Sequence, residues 1–411
     1  MIRADPYRFY LGSRGYFGFC WTTMVTVNLV YMVEVAGLSP LQMVLVGTVL
    51  ETSAFVFEIP TGVLADRISR RLSVVIGNAM TGVSFVLIAL FPTFEAILFA
   101  QLVWGIGWTF ISGAYPAWLS EEIGAERANA AFLRGAQLAQ GAGFLGIGFA
   151  IALAHVSLHL PMLIGGLGVI GLAVAMHLMM PEEGFTPAPR EDRASWHGLG
   201  DTFMAGVREV SSRPLLLTIL IIAVLFGMFS EGLDRLYVPF LIESFTFPRL
   251  GAADSVVWWG VIAAVSSLVG LAATTIARRV VDLGNHLHLT AALALMTALI
   301  SVSVVAFANL EGFYVVLAFF WLVSGLRAAA SPLETAWLNR RLPSSIRATI
   351  LSMHGQADSV GQAFGGPVVG IIAQRIAIGT ALTVSALALL PSLVLYRRAA
   401  GLDETPDQPD G

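Results

Sequence analysis

Charge is scarce in this chain, and one kind of charged residue is missing altogether. Only 12% of the 411 residues are charged, and all 23 basic residues are arginine. A soluble globular domain carries about 25% charged residues, so this chain has too little polar surface to be surrounded by water. Without lysine it has neither a nucleotide-binding P-loop nor a residue for a Schiff base. We therefore expect a membrane protein that draws no energy from ATP.

Cysteine and metal-binding patterns are equally sparse. The single cysteine, Cys20, lies in the first apolar run and has no second cysteine for an internal disulfide. The seven histidines show no spacing typical of metal ligands, so we expect neither a metal site nor a cofactor. A net charge of −4 does not suggest nucleic acid as a partner. The first apolar run lacks a cleavage-site pattern, so we interpret it as a retained helix.

Long apolar runs make up most of the chain. A helix needs about 20 mainly apolar residues to cross the hydrocarbon layer, whereas a β-barrel would show short segments of alternating polarity. The runs cover residues 9–33, 40–64, 72–92, 95–119, 130–155, 160–180, 215–242, 254–277, 286–309, 313–336, 348–375 and 377–397. We predict an all-α membrane protein with twelve transmembrane helices.

One long connection divides the twelve runs into six and six. We predict an N-terminal six-helix bundle over 1–180, a cytoplasmic linker with an amphipathic surface helix over 181–214, and a C-terminal six-helix bundle over 215–400. The polar tail over 401–411 is predicted to be disordered.

The arginines indicate how the chain is oriented. If the N-terminus is cytoplasmic, all arginines but four fall in or beside connections on that same side. The exceptions are Arg235, Arg249, Arg327 and Arg375. By the positive-inside rule, both termini are predicted to be cytoplasmic, as in a multi-pass protein of a bacterial inner membrane.

The two halves of the chain also repeat each other. The segment from Gly62 to Arg71 parallels the segment from Gly270 to Arg279, because the glycine, an alanine, an isoleucine and the final arginine pair recur. Residues 112–119, which read SGAYPAWL, parallel residues 331–338, which read SPLETAWL. A parallel duplication of six helices predicts a pseudo-two-fold axis along the membrane normal and a cavity between the halves.

The segment from Gly62 to Arg71 reads GVLADRISRR and is similar to the loop motif between spans 2 and 3 of the major facilitator superfamily. The preceding Glu58-Ile59-Pro60-Thr61 is common in bacterial efflux-type members of that family. The resemblance implies a drug/proton-antiporter-like protein that works by alternating access. Two departures stand out: Ser69 replaces the second glycine of the motif, and span 5 lacks the proline of the antiporter signature.

The motif implies a latch that closes the cytoplasmic side. We expect Gly62 to allow close helix packing and Asp66 to pair with an arginine across the turn. The gate residues are Gly62, Asp66, Arg67, Arg70 and Arg71. The alternative is that these arginines only anchor the topology.

Two carboxylates lie within the second apolar run. A charged residue at the centre of a span costs roughly 2.5–3.5 kcal/mol on insertion scales, so those that persist usually face a cavity. Glu51 lies near the middle of the run, and Glu58 follows seven residues later on nearly the same helix face. We hypothesise that Glu51 or Glu58 carries a transported proton. The alternative is a hydrogen bond to a neighbouring helix.

Further ionisable residues lie in the C-terminal half. Glu231 and Arg235 are spaced for a salt bridge along one helix, which would leave Asp234 as the less compensated acid. This cluster is a candidate for an outer gate, a proton site or a substrate anchor. The alternative is a static network near the outer interface. Arg327 needs a partner because it cannot lose its charge. The candidates for that partner are Asp358 and Glu334. The resulting ion pair would either respond to substrate or proton binding or form a static contact between helices.

The aromatic residues of span 4 allow two interpretations. Trp104, Trp108 and Tyr115 are either walls of a cavity or helix-packing residues.

These observations predict a secondary transporter, not an enzyme, that exports small amphipathic or drug-like molecules in exchange for protons. Its partners would be the small-molecule substrate, protons and membrane lipids. Proton-coupled uptake of a small metabolite, lipid or lysolipid flipping, and a non-transporting receptor are the alternatives. Nothing in the sequence indicates an oligomeric state.

Overall fold

The computed structural model describes residues 4–186, 213–249, 255–340 and 347–402, and these residues form helices joined by short connections. The helices are α1 (Pro6–Glu34), α2 (Pro40–Arg67), α3 (Arg70–Leu90), α4 (Phe94–Ser112), α5 (Ala114–Ile123), α6 (Ala125–Ala154), α7 (Leu160–Met179), α8 (Pro214–Ser244), α9 (Val256–Val280), α10 (His286–Asn309), α11 (Phe313–Arg340), α12 (Arg347–Arg375), α13 (Ile378–Leu387) and α14 (Leu390–Gly401). The prediction of an all-α chain is confirmed for the described residues.

Eleven helical segments among the described residues are long and apolar enough to cross a membrane. Two of them are broken helices, because α4 and α5 together form one segment and α13 and α14 form another. The twelfth expected span is α12, whose 29 residues exceed the roughly 20 needed. It is less apolar than the others since it carries polar residues such as Gln356, Asp358 and Gln362.

A proline follows each of the two breaks. A proline within a helix lacks the N–H of the usual hydrogen bond, and its ring clashes with the carbonyl four residues earlier. Helix α4 ends at Ser112, four residues before Pro116. Helix α13 ends at Leu387, four residues before Pro391. Each break therefore lies where the ring of a proline meets the preceding turn. Pro60, Pro239, Pro332 and Pro367 lie inside helices that remain continuous, so proline favours a break but does not by itself determine it.

The chain divides into two compact units that do not coincide with its sequence halves. The first unit comprises residues 1–39, 49–195 and 248–263, and the second comprises residues 40–48, 196–247 and 264–411. The start of α2 therefore groups with C-terminal helices, and the start of α9 groups with N-terminal helices. The predicted amphipathic helix and most of the predicted disordered tail lie outside the described residues.

The same helix pairings occur in both units. In the first unit α1 packs on α6, and α3 packs on α4 and α7. In the second unit α8 packs on α12, and α10 packs on α11, α13 and α14. This recurrence is the structural counterpart of the sequence repeat.

Glycines allow the closest of these contacts. A Cβ at Gly18 on α1 would lie 2.5 Å from the carbonyl oxygen of Ala139 on α6. In the second unit, a Cβ at Gly361 on α12 would overlap the carbonyl oxygen of Val224 on α8, and one at Gly227 would overlap that of Asp358. Small residues let helix backbones approach within lipid, where dispersion contacts drive association.

We predict that Gly361→Ala lowers the thermal unfolding temperature of the purified protein in detergent, because the new methyl group pushes α8 and α12 apart. The matched control is Gly355→Ala on the same helix, where a Cβ meets no described atom within 4 Å. The control should be neutral or slightly stabilising, since alanine is favoured over glycine in a helix by up to about 1 kcal/mol. Equal unfolding temperatures for the two variants would contradict the packing account.

Candidate functional site

Ion pairs in the loop between α2 and α3 connect three helices of the first unit. Arg70 Nη1 lies 3.0 Å from Asp66 Oδ1 at the end of α2. Arg70 Nε also donates to Glu121 at the end of α5, at 2.8 Å and 2.9 Å from its two oxygens. Asp66 thus pairs with an arginine across the turn, as expected, and Glu121 is an additional partner. Arg67 is the exposed last residue of α2.

Ser69, the residue that departs from the family motif, has two functions that glycine could not supply. Its hydroxyl oxygen accepts from the backbone N–H of Leu72 at 2.9 Å and so caps the N-terminus of α3. The hydroxyl also lies 2.7 Å from a carboxylate oxygen of Glu182. The backbone N–H of Arg71 donates to the same carboxylate at 2.9 Å. The start of the central connection is thereby fixed to the gate loop.

Gly62 does not have the expected role in this structure. A Cβ at Gly62 would meet no described atom within 4 Å. Its counterpart in the repeat, Gly270, does make a close approach, since a Cβ there would lie 3.2 Å from the Cβ of Ala328 on α11. The close packing predicted for Gly62 thus occurs at the equivalent position of the second unit.

The two carboxylates of α2 are both partly buried. The hydroxyl of Ser112, at the end of α4, donates to Glu58 Oε1 at 3.2 Å. This contact matches the hydrogen-bonded alternative for Glu58 and ties α2 to α4. Glu51 lies two turns earlier on the same helix. Neither residue lines the cavity described below.

The predicted salt bridge between Glu231 and Arg235 is present on α8. Arg235 Nε lies 3.1 Å from Glu231 Oε1, and the Glu231 side chain is only 1% exposed. The pair lies against the start of α2, because a Cβ at Gly47 would overlap both side chains. A glycine at position 47 therefore allows α2 to pack on this ion pair.

Arg327 on α11 has a different direct partner from the two that the sequence suggested. Its guanidinium donates two hydrogen bonds to Asp234 on α8, at 2.5 Å and 2.8 Å. The guanidinium also lies 5.7 Å and 5.9 Å from the ring centres of Phe226 and Phe229. Asp358 also interacts electrostatically with Arg327. Asp234 is therefore compensated, contrary to the prediction, and the pair has the fork geometry that arginine favours.

Next to this pair, the second unit contains an open cavity of about 540 Å³. Helices α8, α11 and α12 contribute its walls. The lining residues include Phe226, Ser324, Arg327, Ser331, Glu334, His354 and Asp358. The cavity thus combines one cation, two acids, a histidine, two hydroxyl groups and an aromatic ring.

A narrow pocket of about 20 Å³ adjoins the open cavity. The two spaces share Phe226, Glu334, His354 and Asp358 as walls. Behind these residues, Trp337 and Tyr396 close the pocket, and each is only 2% exposed. The four shared residues therefore face both spaces.

Among the described residues that line the cavity, two are acids and one is an arginine. The side-chain amide of Gln362 donates to Asp358 Oδ2 at 2.7 Å and orients that carboxylate. The Tyr396 hydroxyl lies 3.5 Å from Glu334 Oε1. Arg327 is already bound to Asp234 by two hydrogen bonds. Acids within membrane-spanning segments usually face a cavity and mark pathways for protons, ions or substrates.

Sequence reasoning considered Glu334 only as a partner for Arg327, and it proposed no site that includes His354. Two spacings indicate the cavity in retrospect. Glu334 follows Arg327 by seven residues on α11, and Asp358 follows His354 by four residues on α12, so each pair shares a helix face. No group of three or more His, Cys, Asp or Glu residues in the described ranges is arranged to hold a metal.

The aromatic residues of span 4 differ in their environments. Trp104 packs against Trp21 and Phe85, with ring centres 5.3 Å and 5.2 Å apart. Trp108 is 46% exposed. Tyr115 is buried, stacks on Trp118 at 5.7 Å and shares a hydrogen bond with Ser13. Tyr115 is therefore a packing residue and not a cavity wall.

We predict that Asp234 and Arg327 are energetically coupled. Asp234→Asn and Arg327→Gln should each lower the unfolding temperature, whereas the double variant should recover part of the loss because neither charge is left alone. The expected coupling is about 1–2 kcal/mol, below the 3–5 kcal/mol of a fully buried pair, since the Asp234 side chain is 49% exposed. Asp282→Asn, at an exposed acid between α9 and α10, is the control. Additive losses in the double variant would refute the coupling.

Comparison with known proteins agrees with the arrangement of the helices. The chain is 23% identical to an uncharacterized MFS-type transporter, YxaM, of Bacillus subtilis (strain 168). The matched region spans 362 residues, which are 87% of this chain and 86% of that protein. The fold resembles that of the nucleoside transporter NupG, with a TM-score of 0.75, 15% identity and coverage of 96% of this chain and 99% of that one. It also resembles the peptide transporter POT in complex with sulfate, with a TM-score of 0.73, 14% identity and coverage of 96% and 95%. Residues 14–300, more than half of the chain, match the family model described as Major Facilitator Superfamily. The chain belongs to the Major Facilitator Superfamily and is a membrane transporter of that type.

Proposed function

We propose that this transporter couples the movement of a small molecule to protons by alternating access. The observation that carries the proposal is the convergence of Glu334, His354 and Asp358 on one cavity among helices of the second unit. The arginine among the described lining residues, Arg327, is held by Asp234. The cavity therefore has the groups needed to take up and release a proton.

The physical basis is the cost of a charge away from water. An ionised carboxylate without a matched cation costs several kcal/mol in a low-dielectric site. Uptake of a proton removes that charge, and so does the arrival of a cationic substrate. A cavity carboxylate therefore has two neutralised states, one with a proton and one with a cationic substrate, and these states can favour different conformations.

Among the carboxylates, we propose Glu334 as the group that carries the proton, with Asp358 beside it. Glu58 accepts a hydrogen bond from Ser112, and Glu231 is paired with Arg235, so both have static partners. Glu51, the strongest candidate from the sequence, lies outside the cavity and remains the alternative.

The two ion-pair clusters are suited to act as gates. We assign the Asp66–Arg70–Glu121 cluster to the predicted cytoplasmic side, where its bonds can form in one state and break in another. We assign the Glu231–Arg235 pair, which packs against the start of α2, to the opposite side. This assignment assumes that both termini are cytoplasmic in a bacterial inner membrane, as the arginine distribution predicts.

For the direction of transport, we propose export of small amphipathic molecules. The cavity supports this assignment because aromatic residues and acids share its walls. Proton-coupled uptake of a polar metabolite is the second candidate. It is favoured by the hydroxyl groups of Ser324 and Ser331, and the structural neighbours named above are a nucleoside transporter and a peptide transporter.

The test is proton-coupled flux in proteoliposomes that contain a pH-sensitive dye. We predict that a substrate of wild-type protein triggers proton movement and that Glu334→Gln abolishes it, because the variant cannot bind or release the proton. Glu51→Gln should retain it. Glu311→Gln, at an exposed acid between α10 and α11, controls for the loss of one negative charge.

Two results would overturn parts of this proposal. Loss of proton movement in Glu51→Gln but not in Glu334→Gln would transfer the proton site to α2. Substrate flux without proton movement in wild-type protein would remove the coupling. The sign of the proton movement relative to the substrate gradient distinguishes export by exchange from uptake by symport.

A further inference from the structure

We infer that the narrow pocket behind the cavity is a subsite for the primary ammonium group of the substrate. The inference rests on the proposed function in that the amine is part of the transported molecule. The pocket lies among α8, α11, α12 and α14, with Glu334, Asp358, Trp337 and Tyr396 on its walls.

The size of the pocket selects a small head group. A volume of about 20 Å³ has room for about one group the size of a water molecule. A primary ammonium group is of that size, whereas a quaternary ammonium group with three methyl substituents is not. The rest of the molecule then lies in the open cavity of about 540 Å³, which the shared residues connect to the pocket.

The charges around the pocket favour a cation. An ionised carboxylate can only accept hydrogen bonds, and an ammonium group has three N–H donors. Glu334 and Asp358 provide the acceptors, and Gln362 holds Asp358 in place through a 2.7 Å hydrogen bond. Among the described residues that line the two spaces, the other charged or titratable groups are Arg327, paired with Asp234, as well as His354 and Tyr396. An anion would meet two acids and a cation that is already paired.

The aromatic walls point to the same ligand. Phe226, Trp337 and Tyr396 contribute rings from α8, α11 and α14, and ring faces attract cations. The indole nitrogen of Trp337 is buried without a hydrogen-bond partner among the described residues. A buried donor without a partner is costly, and a guest with an oxygen atom near its amine would satisfy it. The rings therefore favour a cation, and the Trp337 N–H favours a guest that also carries a hydrogen-bond acceptor.

Binding of the amine and of the proton should be mutually exclusive. Both neutralise the same carboxylates, so a protonated Glu334 offers the ammonium group one acceptor fewer. Amine affinity should therefore fall as the medium is made more acidic. This exclusion would make proton exchange a direct consequence of binding.

The test is equilibrium binding to purified full-length protein in detergent, without any gradient. The probes are tryptamine, a primary amine, and 3-propylindole, its neutral isostere, measured by titration calorimetry near neutral pH. We expect tryptamine to bind at least tenfold more tightly than 3-propylindole. Glu334→Gln and Asp358→Asn should each weaken tryptamine binding by roughly tenfold or more, since each removes a charged acceptor from the ammonium group. N,N,N-trimethyltryptamine should bind more weakly than tryptamine because its head group is too large.

Controls separate this inference from the proposed function and from misfolding. Glu311→Gln should bind tryptamine as the wild type does. Two carboxylate variants are used because gel filtration could show a folding defect in one of them. The other variant would then still test the subsite. Equal binding of tryptamine and 3-propylindole, or no binding of either, would overturn the ammonium subsite even if proton-coupled flux of another compound is observed. Tryptamine binding without proton movement would contradict the proposed proton coupling but would support the ammonium subsite.

Discussion

A guanidinium group cannot give up its proton at any pH that a protein encounters, so an arginine among membrane helices needs a negative partner. In this transporter that arginine is Arg327, and its partner is Asp234 on another helix. The two parallel hydrogen bonds connect α8 to α11, and the charges of the two groups compensate each other. Glu334 and Asp358 line the cavity beside this fixed pair. The chemistry that we propose for Glu334 and Asp358 depends on this distribution of charge.

Small residues supply the rigid frame around that charge. Glycines place the backbones of α1 and α6 in contact in one unit and those of α8 and α12 in the other. One of these contacts, at Gly227 and Asp358, lies beside the cavity, so helix packing also positions the cavity carboxylate. The prolines that break two helices leave the rest of each unit regular. Because interiors of this kind are closely packed, a unit is expected to move as a body and not to deform continuously.

Much of this architecture could be predicted from the sequence because it depends on local patterns. Apolar runs of about 20 residues identify spans, and the loop from Gly62 to Arg71 identifies the family. The i,i+4 spacing of Glu231 and Arg235 was enough to predict their salt bridge, which is present. These features require no knowledge of which helices are neighbours.

The features that sequence reasoning missed depend on contacts between distant segments. The pairing of Arg327 with Asp234 requires the relative positions of α8 and α11, which no spacing along one helix reveals. The same holds for Ser69, whose bond to Glu182 joins residues 113 positions apart. The sequence left Tyr115 as either a cavity wall or a packing residue, and the packing of Ser13 and Trp118 around it makes it a core residue.

The central claim is that the carboxyl group of Glu334 gains and loses a proton within the working pH range while the protein remains folded. Infrared difference spectroscopy of the reconstituted protein between acidic and alkaline pH measures this directly, through the C=O stretch of a protonated carboxyl group. The account predicts a carboxyl band that is present in the wild type and in Glu51→Gln but absent in Glu334→Gln. It also predicts that tryptamine suppresses this band in the wild type. An unchanged band in Glu334→Gln would contradict the account and would place the titrating group elsewhere in the chain.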